Sequence, residues 1–119
     1  MSTTAVSVIL PVFNEAENLE SLTQDIIAAL EDIGRTYEII FVDDGSTDQS
    51  LNVLTALQKA QPSVVVIEFR RNFGQTAALA AGLRAANGEI IVTMDADRQN
   101  DPRDIAMLVQ EIERGMDLV

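Results

Sequence analysis

Two carboxylates one residue apart follow an apolar segment towards the end of the chain. Asp95 and Asp97 come directly after residues 90–94, which are predicted to form a strand. Because side chains of an extended backbone alternate in direction, residues i and i+2 share a side, and both carboxylates should face one point beyond the strand. Mg²⁺ and Mn²⁺ prefer such oxygen ligands and are usually completed by substrate phosphates and water, and Gln99 adds an amide oxygen nearby. Taken alone, an Asp-x-Asp pair is more often a turn or a helix N-cap.

The composition excludes several classes of protein. The 119 residues amount to one domain, and no run of about 18 apolar residues predicts a membrane span, so we expect a soluble chain. The formal net charge of −11 disfavours a nucleic-acid partner and implies that a metal screens any phosphorylated ligand. Since the chain has neither cysteine nor histidine, a general base must be a carboxylate or lie outside this chain.

Four apolar segments alternate with four segments of helical periodicity. Strands are predicted over residues 6–12, 37–42, 64–69 and 90–94, and the beginning of a fifth over residues 116–119. Continuous apolar strands, such as the third, are expected where helices cover both faces of a sheet. Strand–helix alternation also favours right-handed crossovers between parallel strands. The sequence therefore predicts an α/β fold, a Rossmann-like and mainly parallel sheet with helices on both faces.

Two features predict how helices begin and pack. Asn14 is a good N-cap for the first helix, and Glu17, three residues later, completes a variant of the capping box. The third helix is rich in alanine and contains Gly82, so we expect it to lie close against the sheet. Pro102 suits the first turn of the fourth helix.

Polar residues follow each predicted strand. In parallel sheets with helical crossovers, ligands bind beyond the carboxyl ends of the strands. The residues at those ends are Asn14, Glu15, Asp43, Asp44, Arg70, Arg71, Asp95 and Asp97. Each has a structural alternative: the aspartates can simply form turns, Glu15 can compensate a helix dipole, and the arginines can be a solvated pair rather than a guide for a diphosphate. The functional interpretation of the second turn is that a carboxylate binds a nucleoside while Gly45 lets the backbone approach it.

Four segments together resemble the family 2 glycosyltransferases. Within that family the likeness is to polyisoprenyl-phosphate glycosyltransferases, such as dolichol-phosphate mannose synthase and bactoprenol glucosyltransferase. The matching segments are Leu10-Pro11-Val12-Phe13-Asn14-Glu15 and residues 37–48, 71–75 and 95–102, in order and at the family's spacing. The resemblance implies that residues 1–119 are the nucleotide-sugar-binding half of a GT-A domain, cut off after about four βα units.

The resemblance also implies a nucleoside pocket beside a metal site. The pocket residues would be Pro11, Phe13, Glu15, Val42, Asp43 and Asp44. The residues at the metal and the sugar diphosphate would be Asp95, Ala96, Asp97 and Gln99, with Asp97 as the catalytic residue. The implied cofactor is Mg²⁺ or Mn²⁺, which neutralises charge on the departing nucleoside diphosphate.

The implied reaction is an inverting transfer of sugar from a UDP- or GDP-linked donor to a polyisoprenyl phosphate. Such enzymes work at the cytoplasmic side of the membrane and carry an acceptor half and membrane helices that this chain does not include. We therefore expect this chain to bind the donor without turning over. Arg98 departs from the family pattern, which commonly has Leu or Gly at that position.

Two other classes compete with this interpretation. A receiver-like signalling domain also places acidic residues around Mg²⁺ beyond the strands of a parallel sheet, but it needs a lysine after its fifth strand. Lys59, on a predicted helix, is the chain's one lysine. The second alternative is a non-catalytic fragment that forms a homo-oligomer through an unfinished sheet edge.

Overall fold

The computed structural model describes residues 4–97 and 101–113, and in these ranges four strands alternate with four helices. The strands are β1 Val6–Val12, β2 Tyr37–Asp43, β3 Val64–Glu68 and β4 Ile90–Thr93. The helices are α1 Ala16–Ile33, α2 Ser50–Ala60, α3 Gln75–Ala85 and α4 Arg103–Glu113. Pro102 immediately precedes α4. The predicted fifth strand over residues 116–119 lies outside the described residues.

The strands form one parallel sheet in the order β3-β2-β1-β4. β1 lies inside the sheet, with Val6 opposite Tyr37 of β2 on one side and opposite Ile90 of β4 on the other. β2 continues the sheet outward, with Ile39 opposite Val64 of β3. The predicted α/β fold with a parallel sheet is therefore confirmed. Since every strand runs in the same direction, all four carboxyl ends lie at one edge of the sheet.

Helices cover both faces of this sheet, as the alternation predicted. Val8 and Leu10 of β1 are buried in a cluster with side chains of α1, α2 and α4, whereas Ile9 faces α3 on the opposite side. Full burial of one such aliphatic side chain stabilises the fold by about 1.5–3 kcal/mol. None of the described helices is long and apolar enough to cross a membrane.

The outer strands are less covered than their apolar sequences predicted. Val65 of β3 is 37% exposed and Ile91 of β4 is 42% exposed, so complete coverage of β3 was wrong. Both side chains lie on the α3 face, where a single helix packs over β1 and β2 and leaves the flanking strands uncovered.

The edge of the sheet at β3 has a backbone N–H that no neighbouring strand among those described accepts. At Val66 this N–H donates instead to the side-chain oxygen of Gln58, 2.8 Å away.

A buried polar network lies near the amino ends of β1, β2 and β4, at the edge of the sheet opposite the strands' carboxyl ends. The hydroxyl of Ser7 and the backbone N–H of Asn87 each donate to Oε2 of Glu38 at 2.6 Å, and the N–H of Gly88 donates to Ser7 Oγ at 2.8 Å. Glu38 is only 8% exposed, and a buried carboxylate is tolerated when donors of this kind satisfy it. The network holds the turn between α3 and β4 against β1.

Gly82 brings α3 close to the sheet, as predicted. A Cβ at this position would lie 2.4 Å from Cγ2 of Ile9. We therefore expect Gly82→Ala to lower the free energy of unfolding by about 1–2 kcal/mol, because overpacking outweighs the gain of about 1 kcal/mol in helix propensity. Denaturant titration measures the change. In an Ile9→Ala background the same substitution should become neutral or stabilising, and a stabilised single Gly82→Ala variant would contradict the close contact.

Candidate functional site

The carboxyl ends of β1, β2 and β4 border a cleft of about 180 Å³. Residues of four separate segments line it: Pro11, Val12, Phe13, Glu15, Asp44, Gln75, Asp95, Ala96 and Asp97. Ligand sites of parallel α/β sheets lie at this edge, because the strands end together there and the loops after them can converge. Of the polar residues predicted at the strand ends, the structure brings four to this cleft: Glu15, Asp44, Asp95 and Asp97.

Most residues of the predicted site line this cleft, but among the described residues Val42 and Asp43 do not. The side chain of Val42 is fully buried in the cluster with Ile9. Asp43 is only 2% exposed and lies outside the lining, and among the described residues its Oδ1 has no hydrogen-bond partner. Gln99 lies outside the described residues. A direct role of the Val42 side chain thus has no support in this geometry, while Asp44 reaches the cleft.

Asp44 holds the loop that follows β3. Its Oδ1 accepts a hydrogen bond from the N–H of Phe73 at 2.8 Å, and its Oδ2 accepts from the N–H of Gly74 and from Asn72 Nδ2, both at 3.1 Å. Asp44 is 4% exposed, so these donors satisfy a buried charge. Gly74 is the N-cap of α3, and a negative charge near the N-terminus of a helix interacts favourably with the helix dipole. The carboxylate therefore fixes the start of α3 relative to β2.

The loops after β1 and β2 are joined by reciprocal hydrogen bonds. Oδ1 of Asn14 accepts from the backbone N–H groups of Thr47 and Asp48, at 2.8 and 3.2 Å. In return, the N–H of Glu15 donates to Ser50 Oγ at 2.9 Å. Ser50 itself is fully buried. The two loops therefore form one unit along the rim of the cleft.

The predicted N-cap of α1 was wrong. Asn14 has a left-handed backbone with φ 55°, and Glu15 occupies the cap position without a side-chain capping bond. The N–H of Ala16 instead donates to the carboxylate of Asp48, 3.3 Å away. The donors at the start of α1 are therefore satisfied by the neighbouring loop, more than 30 residues away in sequence, and the Asn14 side chain serves that loop in exchange.

Gly45 makes a close approach, but to the protein rather than to an open site. A Cβ on Gly45 would lie 2.3 Å from the carbonyl carbon of Arg71 and 2.4 Å from the nitrogen of Asn72. The φ of Gly45 is 70°, in the left-handed region that favours glycine. The backbone after β2 thus packs directly on the backbone after β3, which explains the glycine without a ligand.

Arg70 and Arg71 lie outside the lining of the cleft. The guanidinium carbon of Arg71 lies 4.8 Å from the ring centre of Phe73, in a cation–π contact. The Phe73 ring meets Phe69 edge to face, with 5.7 Å between centroids. This packing favours a structural role for Arg71 over contact with a diphosphate.

The acidic residues of the cleft suit a hard divalent cation. Asp97 is exposed and Asp95 is half-buried, and both line the cleft although β4 ends at Thr93 and residues 96–97 form a turn. The two carboxylates therefore converge through a turn rather than by strand alternation. No cluster of three or more acidic residues within ranges 4–97 and 101–113 forms a complete metal cage. Two carboxylates fit Mg²⁺ or Mn²⁺, which usually keep positions for substrate phosphates and water.

Gln75 is a lining residue that the sequence analysis did not select. Its Nε2 donates to Oδ1 of Asp95 at 3.2 Å. Gln75 is the first residue of α3 and the last of the segment 71–75 that carried the family resemblance. Its membership of that segment was the feature that could have identified Gln75 as a site residue. It was not selected because the candidates at the strand ends were chosen mainly for charge, and Gln75 is uncharged.

Fold and site together define an α/β domain with an acidic ligand cleft at the strand ends. The profile of the family described as Glycosyl transferase family 2 matches residues 7–119. The chain therefore belongs to glycosyl transferase family 2. This assignment displaces the receiver-like alternative, and Lys59 indeed lies on α2.

Similar proteins include an undecaprenyl-phosphate 4-deoxy-4-formamido-L-arabinose transferase from Edwardsiella ictaluri. It is 43% identical over 115 residues, which cover 96% of this chain and 35% of the relative. A protein of that name from Photorhabdus laumondii is 42% identical over the same share of both chains. The chain thus spans about a third of the length of the curated relatives it matches.

Solved structures share the fold. Mannosyltransferase PcManGT from Pyrobaculum calidifontis, in complex with GDP-Man and Mn²⁺, superposes with a TM-score of 0.78 at 30% identity, over 92% of this chain and 32% of the mannosyltransferase. Glucosyl-3-phosphoglycerate synthase from Mycobacterium tuberculosis, in complex with Mn²⁺, UDP and glucosyl-3-phosphoglycerate, gives a TM-score of 0.72 at 26% identity, over 92% and 39% of the two chains. The predicted GT-A architecture is therefore confirmed.

Substitutions at Gly45 and Gly34 separate two effects, the clash of a new side chain with neighbouring backbone and the strain of a positive φ. Both have positive φ, at 70° and 75°, but a Cβ at Gly34 would meet nothing within 4 Å. We expect Gly34→Ala to cost about 1–2 kcal/mol of unfolding free energy from strain alone, and Gly45→Ala to cost about 1–3 kcal/mol more. Denaturant unfolding of the two variants measures the difference. Equal losses would contradict the close backbone contact at Gly45.

Asp48 should make the junction between the first two loops sensitive to acid. Chiefly the Ser50 side chain lowers the pKa of Asp48, and backbone donors including Ala16 contribute. Because the folded-state pKa lies below the unfolded one, this stabilisation is complete above the ordinary value of 3.8 and is lost as pH falls through the folded-state pKa. The stability difference between the native chain and Asp48→Asn, measured by urea unfolding, should therefore narrow in acid.

A Ser50→Ala background supplies the control for Asp48. Ser50→Ala removes the largest cause of the lowered pKa of Asp48. In this background, the difference in unfolding free energy between the chain with Asp48 and the Asp48→Asn variant should therefore depend less on pH. A difference that stays constant from neutral pH down through the acid range would show that the carboxylate does not support the junction.

Proposed function

We propose that this chain forms the donor and metal site of a metal-dependent, inverting glycosyltransferase that transfers sugar from a nucleotide-diphosphate sugar to a polyisoprenyl phosphate. The observation that carries the proposal is the cleft, which brings Pro11, Phe13 and Glu15 from one loop together with Asp95 and Asp97 from another. An aromatic wall beside two carboxylates matches the chemistry of a nucleoside joined to a diphosphate.

The comparisons support the same substrate classes. The relative from Edwardsiella ictaluri is described as an undecaprenyl-phosphate transferase, which supports a polyisoprenyl phosphate as acceptor. The two solved neighbours hold GDP-Man or UDP together with Mn²⁺, which supports a nucleotide donor and a divalent metal. Since this chain matches only about a third of the length of these relatives, we place the acceptor contacts outside this chain. We place the transfer at the cytoplasmic side of the membrane on the family resemblance alone.

The nucleoside half of the site is formed by the loop after β1. The ring of Phe13 is 45% exposed while lining the cleft, so a flat apolar face is available to a nucleobase. Oε2 of Glu15 accepts a hydrogen bond from Asn18 Nδ2 at 2.8 Å, which orients the carboxylate as an acceptor for nucleoside hydroxyl or N–H groups. Asp44 borders the same space.

The diphosphate half of the site is formed by the turn after β4. Asp95 and Asp97 would hold Mg²⁺ or Mn²⁺, which when bound neutralises the charge on the departing nucleoside diphosphate. Ala96 between them is 3% exposed, and its burial anchors the turn in the core. The acceptor phosphate is itself an anionic nucleophile near neutral pH, so its attack on the anomeric carbon requires no histidine base from this chain.

Isothermal titration with UDP-glucose and GDP-mannose, each with and without Mn²⁺, tests the proposal. We expect one donor to bind in a Mn²⁺-dependent manner and Asp97→Ala to weaken that binding at least about tenfold, because a charged metal ligand is lost. The matched control is Asp32→Ala, an exposed carboxylate of α1 outside the cleft lining. A folded native chain that binds neither donor, or that binds equally well without Mn²⁺, would contradict the proposal.

A further inference from the structure

The contact between Gln75 and Asp95 joins two elements that are distant in sequence. The amide nitrogen of Gln75, at the start of α3, donates to Oδ1 of Asp95 at 3.2 Å. A carboxylate rotates easily about its last torsion, which is broad and roughly two-fold. A donor held on a helix therefore restricts the direction in which the Asp95 oxygens point.

The origin of the Gln75 side chain is itself fixed. The preceding residue, Gly74, donates its backbone N–H to Asp44 Oδ2 at 3.1 Å, and Phe73 donates to the other oxygen at 2.8 Å. Because Asp44 is buried at the end of β2, it holds the first residues of α3 in place. A continuous series of contacts thus runs from Asp44, through the loop before α3 and the Gln75 amide, to Asp95.

The same contact separates two spaces. Gln75 and Asp95 line the cleft, and both also line a neighbouring hollow of about 290 Å³ together with Leu79, Thr93 and Met94. The Asp95 carboxylate thus borders two open regions, of which only the cleft is also lined by Asp97. A donor at this boundary selects one carboxylate orientation among those the open space allows.

We propose that Gln75 is a positioning residue, whose amide orients the Asp95 carboxylate for metal-dependent binding of the donor diphosphate. This inference rests on the proposed function, because it assumes that Asp95 contributes to a metal and diphosphate site. Partners that hold metal-binding side chains commonly contribute tenfold or more to metal affinity. Gln75 belongs to this class of residue, one that acts through the metal ligand and not on the reacting atoms.

The test compares the affinity for UDP and for GDP, each with and without Mn²⁺, in the 119-residue chain. Gln75→Met keeps the length and helix propensity of the side chain but removes the amide donor. For whichever nucleotide the native chain binds, we expect Gln75→Met to weaken the Mn²⁺-dependent binding about tenfold while leaving metal-free binding and the melting temperature unchanged. The matched control, Gln110→Met, makes the same change on the exposed surface of α4, outside both the cleft and the hollow, and should alter neither affinity.

The outcomes separate this inference from the proposed function. If the native chain shows Mn²⁺-dependent binding and Gln75→Met retains it in full, the positioning role is overturned while the proposed function stands. An equal loss with and without Mn²⁺ would make Gln75 a direct ligand contact and also overturn the positioning role. If the native chain shows Mn²⁺-dependent binding of neither UDP nor GDP, the proposed function fails first, and this inference fails with it.

Discussion

The buried carboxylate of Asp44 is the interaction on which the arrangement of the cleft depends. At 4% exposure it cannot rely on water, and the loop after β3 supplies its donors through Asn72, Phe73 and Gly74. Removing one of these donors while Asp44 stays buried would leave part of its carboxylate unsatisfied, at a cost of about 1–3 kcal/mol. The wall of the cleft is therefore formed before any ligand arrives. A carboxylate has about four acceptor positions, so Asp44 can hold the loop and still accept a bond from a nucleoside.

The other side of the rim relies on exchange between two loops. Asn14 takes a left-handed conformation that few residues other than glycine adopt, and its side-chain oxygen accepts from Thr47 and Asp48. Asp48 and Ser50 accept from the start of α1 in return. Together with the contacts of Asp44, these bonds tie the loops after β1, β2 and β3 into one frame. Phe13 and Glu15 project from that frame into the cleft.

The sequence was sufficient to predict the features that leave a repeating pattern along the chain. Apolar runs separated by helical periodicity predicted all four described strands and the parallel sheet, because burial on a sheet leaves a regular pattern. The site was predicted in outline, since parallel strands end at one edge, and Pro11, Glu15 and Asp97 do line one cleft. The resemblance named these residues, and their roles remain predictions.

Features that depend on distant partners could not be read locally. The spacing of Asn14 and Glu17 indicated a capping box, but the real partners of the α1 terminus lie on the next loop. The exposure of Val65 depends on how far α3 extends over the sheet, which no strand sequence encodes. Gln75 escaped notice because its significance arises only when α3 is placed beside Asp95.

The contact at Gly45 has a consequence for how proteins of this shape can diverge. Where the backbone after β2 touches the backbone at Arg71 and Asn72, no side chain intervenes, so at this point the two loops approach as closely as their main chains allow. Side chains elsewhere on the rim, such as Phe13 on the loop after β1, can then change without altering this contact. The close approach at Gly45 therefore does not depend on which side chains line the rim, and selection can change a residue such as Phe13 while this part of the scaffold stays constant.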